Sequence, residues 1–257
     1  MRKISLAITL VLFFVISATL LGLVLSSPLP VLARSLTNPE IQFAIMLSLV
    51  TSVISTIICI AIAIPVAYAL ARYQFFGKRI ANLVLTLPLT LPPLVAGIAL
   101  LLFFGTTTWG RALDQAGFAV IFTPLGIVVA EVFVNLPYMI RILRSSFSTI
   151  NPRYEYVAKT LGCTETGAFF RVTLPMVRPG LLAGTVITWS KAMGEFGAVL
   201  MVAGATTMRT ETLPIALYLN ISTGDLDLAV AAAALLILIS LATLCAVEYF
   251  DRGVHVF

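Results

Sequence analysis

Two stretches of this chain, Ile4 to Leu25 and Ile41 to Leu70, run for 22 and 30 residues without one charged side chain. A helix rises 1.5 Å per residue and a bilayer's hydrocarbon core is about 30 Å thick, so about 20 apolar residues cross it. Four further apolar segments recur along the 257 residues, at Ile80 to Phe104, Thr123 to Phe147, Pro179 to Ala203 and Leu226 to Phe250. Six spans predict an all-α, polytopic membrane protein with a single transmembrane domain over residues 1–257. Composition agrees, because 60% of residues are hydrophobic and 11% charged, where a soluble domain carries about a quarter charged. The mean hydropathy is +1.07. Arg2 and Lys3 before the first run, and "VLA" before Arg34, imitate a secretion signal. Signal cores are about 7–15 residues long, however, and this run is longer.

Lys and Arg set the orientation. With the N-terminus in the cytoplasm, the inward segments hold Arg2, Lys3, Arg72, Lys78, Arg79, Arg141, Arg144, Arg153, Lys159, Arg171, Arg178 and Arg252, twelve of the sixteen basic residues. Arg34, Arg111 and Arg209 fall outside. Positive charge stays on the cytoplasmic side, so both termini are placed there. The net charge of +5 is then a topology signal, and it gives no reason to expect a nucleic-acid partner. Cys59 and Cys245 fall in spans and Cys163 in a polar loop, which suggests no disulfide framework.

One polar insert interrupts the apolar pattern, between spans four and five and so on the cytoplasmic side, over residues 148–178. "STINPRYEYVAKTLG" reads as a helix of about 10 residues, near 15 Å long. Asn151 is placed to cap it, Pro152 suits its first turn, and Gly162 can close it in a left-handed conformation. Tyr154, Val157, Ala158 and Leu161 recur at helical spacing, while Arg153, Glu155, Lys159 and Thr160 take the other faces. Such a helix either docks a partner or lies on the membrane surface. A second short helix is expected from Thr164, stopped by Pro175 and Pro179.

"VAKTLG", followed thirteen residues after its glycine by the proline of "VTLP", resembles the EAA loop of permease subunits in binding-protein-dependent ABC importers. In those permeases the first helix of the loop is the coupling helix, seated in a groove of the ATPase. The resemblance therefore implies an ATPase-coupling role for Arg153, Glu155, Tyr156, Val157, Ala158, Lys159, Leu161, Gly162 and Pro175. This sequence departs from the usual pattern at one point. Tyr156 stands where an acidic residue normally precedes the two small residues, and the glutamate is displaced to Glu155. "TLPLTLPPLVAGIALLLFFG" and "WSKAMGEFGAVLMVAG" are similar to molybdate and tungstate permeases, with sulfate permeases close behind. By that resemblance the assembly comprises two copies of this chain, two ATPase subunits and an extracellular or periplasmic oxyanion-binding protein, in the cytoplasmic (inner) membrane of a prokaryote.

Polar and broken positions inside the spans need a physical reason, because an ionised group at mid-membrane costs about 2.5–3.5 kcal/mol on insertion scales. Glu131 is expected to hydrogen-bond between helices. Lys191 and Glu195, four residues apart, either neutralise each other at a subunit interface or place a cation near the path of a tetrahedral dianion. Pro88, Pro92 and Pro93 remove backbone donors, so span three is expected to bend or unwind there and to line the pathway or a gate with Lys191, Glu195 and Phe196. Pro65 and Pro137 read as kinks, and Leu213 to Asp225 as a short helix on the outer side near the gate.

Other chemistries find no support in the sequence. There is no G-x-x-x-x-G-K-[ST] phosphate loop, the only histidine is His255, and no cluster has metal-ligand spacing. ATP and Mg are therefore expected on the partner ATPase, with no cofactor on this chain. A coupled secondary transporter would show repeated halves, and none is found. An intramembrane enzyme would need a nucleophile and base, or a metal set, which His255 alone does not supply.

Overall fold

A computed structural model describes residues 2–26 and 29–251; Arg252 and His255 lie outside them. In chain order the helices are α1 (Arg2–Ser26), α2 (Leu29–Leu36), α3 (Pro39–Arg72), α4 (Lys78–Thr86), α5 (Pro93–Thr106), α6 (Thr108–Gln115) and α7 (Pro124–Thr149). Then come α8 (Arg153–Thr160), α9 (Glu165–Ala168), α10 (Leu174–Met176), α11 (Arg178–Met193), α12 (Gly197–Ala203), α13 (Leu213–Thr223) and α14 (Leu226–Asp251). A 3-10 turn at Leu87–Leu89 extends α4, and a π-helical stretch at Phe169–Thr173 joins α9 to α10. The described residues contain no strand, so the protein is an all-α, multi-pass membrane protein.

Among the described residues, four helices are long and apolar enough to cross a bilayer unaided: α1, α3, α7 and, over Leu226–Cys245, α14. The other two expected spans are bent pairs. The segment Lys78–Leu89 meets α5 at 111°, and α11 meets α12 at 58°. Prolines account for the first break, as expected. Pro92 holds an extended backbone (φ −56, ψ 136) directly before α5, where a helical conformation would clash with the ring of Pro93. Pro65 and Pro137 lie inside α3 and α7, which run on through them.

The chain forms two compact units, with a boundary at Ser48/Leu49 inside α3. One unit comprises the residues up to Ser48 together with Ala205–Ala242. Its core joins Ile41 and Ala44 of α3, Leu213 and Ala216 of α13, and Ala232 and Leu235 of α14. The Ser48 hydroxyl accepts the Leu213 N–H at 2.8 Å, which satisfies a first-turn donor of α13 that has no partner within its own helix. Helix α1 buries none of its residues.

The other unit comprises Leu49–Gly204 and the chain from Thr243. Its core sets Cys59, Ala63, Ala67 and Leu70 of α3 against Met139, Ile140, Leu143 and Phe147 of α7. Lipid removes the hydrophobic drive between helices, so small residues that allow close approach supply the packing instead. Helix α7 also packs against α11 and α12, and α12 packs against α5.

Candidate coupling surface and translocation segments

The polar insert folds into the expected short helix, with its ends shifted. Helix α8 begins at Arg153, and the Asn151 side-chain oxygen accepts the Arg153 N–H at 3.0 Å. At the other end Gly162 sits at φ 91. The Gly162 N–H bonds the Lys159 carbonyl and the Cys163 N–H bonds the Ala158 carbonyl, both at 3.0 Å. That pair of bonds is a Schellman closure. The second helix differs from expectation. Pro175 and Pro179 do not stop it; each occupies the first turn of a new helix, α10 and α11, where a missing N–H costs nothing.

The faces of α8 differ from the periodicity reading as well. Tyr154, Tyr156, Val157 and Leu161 are exposed, Leu161 by 80%. Ala158, expected on the docking face, is 8% exposed and turns inward together with Glu155 at 7%. Lys159 forms a 3.2 Å ion pair with Glu165 at the surface, and Arg153 is exposed.

Glu155 is not a surface residue because α3 supplies both of its partners. Arg72 Nε donates to Oε1 at 2.9 Å and the Tyr68 hydroxyl donates to Oε2 at 3.0 Å. The Tyr68 ring in turn lies edge-on to Phe147 at 5.5 Å and Phe169 at 4.8 Å. Sequence reasoning missed Tyr68 and Arg72. The available signal was their spacing of four at the C-terminal end of a span, where Arg72 counted only toward orientation.

Inside the membrane, Lys191 and Glu195 make no ion pair with each other. The Lys191 ammonium lies 4.3 Å from the centre of the Tyr138 ring, a cation–π contact. Glu195 Oε1 accepts the Ala198 N–H at 3.2 Å, capping α12. The cause is the break at Gly194–Phe196, because an i,i+4 pair faces one way only on a continuous helix. Glu131 forms the expected interhelical hydrogen bond, accepting from Thr51 Oγ1 at 3.0 Å. Its Oε2, both polar side-chain atoms of Asn135 and Thr188 Oγ1 are buried without a hydrogen-bond partner among the described residues.

The two breaks meet. A Cβ on Gly197 would lie 3.0 Å from Pro93 Cβ and 3.1 Å from the Leu94 nitrogen, so the restart of α12 rests directly on the restart of α5. One turn further, a Cβ on Gly97 would lie 2.7 Å from Met201 Cβ and 2.9 Å from Ala198 Cα. Pro92, Pro93, Phe196 and Glu195 thus gather at one junction of irregular backbone. Pro88, in the 3-10 turn, lies on the far side of the Thr90–Pro92 bend.

Comparison with known proteins places this geometry. Residues 62–256 match the family model described as "Binding-protein-dependent transport system inner membrane component". The molybdenum transport system permease protein ModB of Mycobacterium tuberculosis is 38% identical over 208 residues, covering 80% of this chain and 78% of that protein. The sulfate transport system permease protein CysT of Salmonella typhimurium is 32% identical over 215 residues, covering 81% and 78%. A chain of a bacterial alginate ABC transporter, solved in complex with a pentasaccharide-bound periplasmic protein, superposes with a TM-score of 0.79 at 16% identity over 98% of this chain and 94% of that one. That likeness establishes the fold. With a family match from the middle of α3 to the end of α14 and relatives above 30% identity across most of both chains, the protein belongs to the binding-protein-dependent transport system inner membrane component family.

Proposed function

We propose that this chain is the permease of an ATP-driven importer of a tetrahedral oxyanion, molybdate or tungstate. The observation that carries the coupling part is α8: a capped helix beside the cytoplasmic end of α3, with Tyr154, Tyr156, Val157 and Leu161 pointing outward. A partner ATPase, holding ATP and Mg, docks there. The functional unit is two copies of this chain with two ATPases and an external binding protein that supplies the anion. Closure of the ATPases draws the paired α8 helices together and turns the spans toward the outside; hydrolysis and release reverse the movement.

The junction of α5 and α12 is the gate in this reading. Irregular backbone at membrane depth is tolerated where it is buried in protein or beside water, and Pro92, Pro93 and Gly194–Phe196 supply it from two spans at one place. Lys191 sits one helical turn before this junction and offers a dianion an ammonium already held over an aromatic face. The gate carries no dense cluster of cations, which suits a conduit that must release its cargo.

The molybdenum permease relative favours molybdate, and the sulfate permease relative makes sulfate the competing cargo. The test is uptake by the complete assembly in proteoliposomes, with ATP inside and the loaded binding protein outside. Molybdate or tungstate uptake that persists in excess sulfate supports the proposal. Equal competition by sulfate assigns the chain to the sulfate class, and transport without any ATPase subunit removes the importer reading altogether.

A further inference from the structure

The structure assigns Glu155 to the inside of the protein as a strut: through Arg72 and Tyr68 it fixes α8 to the cytoplasmic end of α3, so that displacement of α8 is delivered to that span. This rests on the reading of α8 as the ATPase dock. Both carboxylate oxygens of Glu155 are engaged within the chain, at 2.9 and 3.0 Å. The side chains of Arg72 and Glu155 are 8% and 9% exposed, leaving little surface for a partner's cation.

Tyr68 and Arg72 are four residues apart on α3, so the carboxylate grips a full turn of that helix. Two charge-assisted bonds to two donors resist both sliding and rotation, which one contact does not. The Tyr68 ring carries the same node to Phe147 at the end of α7 and to Phe169 in the π-helical stretch. Burial also argues for a mechanical role over a stabilising one. An ion pair this dry is worth little compared with well-packed apolar residues, but losing one partner is costly, so what it supplies is fixed geometry. The two faces of α8 therefore divide the work: Tyr154, Val157 and Leu161 meet the ATPase, and Glu155 passes the motion on.

The experiment uses the assembled transporter in proteoliposomes and four variants: Glu155→Gln, Arg72→Met, the exchange Arg72→Glu with Glu155→Arg, and Leu161→Asp as the docking control. Three quantities are measured: affinity for the ATPase, ATP hydrolysed per oxyanion moved, and the distance between spin labels at the exposed positions Thr160 and Gln74 with and without ATP. Glu155→Gln is expected to leave ATPase affinity unchanged while ATP hydrolysed per oxyanion rises about tenfold, equivalent to about 1.4 kcal/mol of lost coupling. The label distance stays constant between nucleotide states in the wild type and changes in Glu155→Gln and Arg72→Met. The exchange variant recovers both melting temperature and coupling.

Loss of ATPase affinity in Glu155→Gln as large as in Leu161→Asp would show that Glu155 touches the partner and overturn the strut. Wild-type coupling in Glu155→Gln, or recovery of melting without coupling in the exchange variant, overturns it as well. Unchanged affinity in Leu161→Asp would instead refute the dock. The label distances still report on the strut in that case.

Discussion

Gly162 holds a backbone conformation that costs a residue with a Cβ about 1–2 kcal/mol, and it does so in open space, with no atom within 4 Å of an added Cβ. The cost of replacing it is therefore conformational and not steric. Gly162→Val is expected to fray the end of α8 and lower substrate-stimulated ATP hydrolysis, while Gly162→Asn, which tolerates the left-handed region, retains most of it. Equal activity in the two variants would mean that the Schellman turn plays no part in coupling. Tyr138 offers a second test, because its ring lies under the Lys191 ammonium. Tyr138→Phe keeps an aromatic face and is expected to melt like the wild type, whereas Tyr138→Leu loses about 0.5–2 kcal/mol, read as a lower melting temperature in detergent. Gly162 was legible in the sequence because its function is local. Glu155 was not: periodicity groups residues by face without saying which face turns inward, and the residues that draw Glu155 inward, Tyr68 and Arg72, lie more than 80 positions away. The sequence leaves open whether Lys191 and Glu195 pair for a related reason, since the i,i+4 rule holds only while the helix is unbroken.

At the scale of elements, the long helices were readable because a lipid core demands unbroken apolar length, and α1, α3, α7 and α14 supply it. The break before α5 was readable too, because three prolines in six residues leave a helix no alternative. The break between α11 and α12 had a weaker signal. Gly194 and Gly197 flank it, but a lone glycine is tolerated within a helix at about 1 kcal/mol and does not announce a bend of 58°. What fixes that bend is packing against α5, through Gly97 and Gly197, and the Glu195 cap on α12. Gly97→Val tests the junction directly, because its Cβ would meet Ala198 Cα and Met201 Cβ, and backbone does not yield as a flexible side chain would. Overpacking of this kind costs about 1–3 kcal/mol. The expected result is a lower melting temperature with α8 intact, seen as retained ATPase binding but impaired transport. Normal transport in Gly97→Val would show that α5 and α12 can separate at no cost and do not form the gate.

For the whole molecule, alternating access requires one segment to change which side wets it, and the Thr86 to Gly97 segment is the place to look. Its positions differ in this structure: Leu87, Thr90, Leu94 and Val95 are exposed, while Ala96 and Gly97 are buried, Gly97 against α12. Single cysteines along the segment, in a background lacking Cys59, Cys163 and Cys245, report water by their reaction with a charged thiol reagent, since only the hydrated, ionised thiol reacts. Removing Cys59 calls for alanine, because it lies fully buried in the core beside Ala63. A lipid-facing position is protected in every state, and a position in the α5–α12 contact is protected while the contact lasts. Cysteines at Leu87 and Thr90 are expected to react without nucleotide, because the bend holds them out of the helix packing on the cytoplasmic side. Trapping the ATPases in an ATP-bound state should lower that reactivity and raise it at Leu94 or Val95 from the outer side. The reciprocal change distinguishes gating from a static kink: identical patterns in both nucleotide states would leave Pro88, Pro92 and Pro93 as a fixed bend and move the gate elsewhere in the protein.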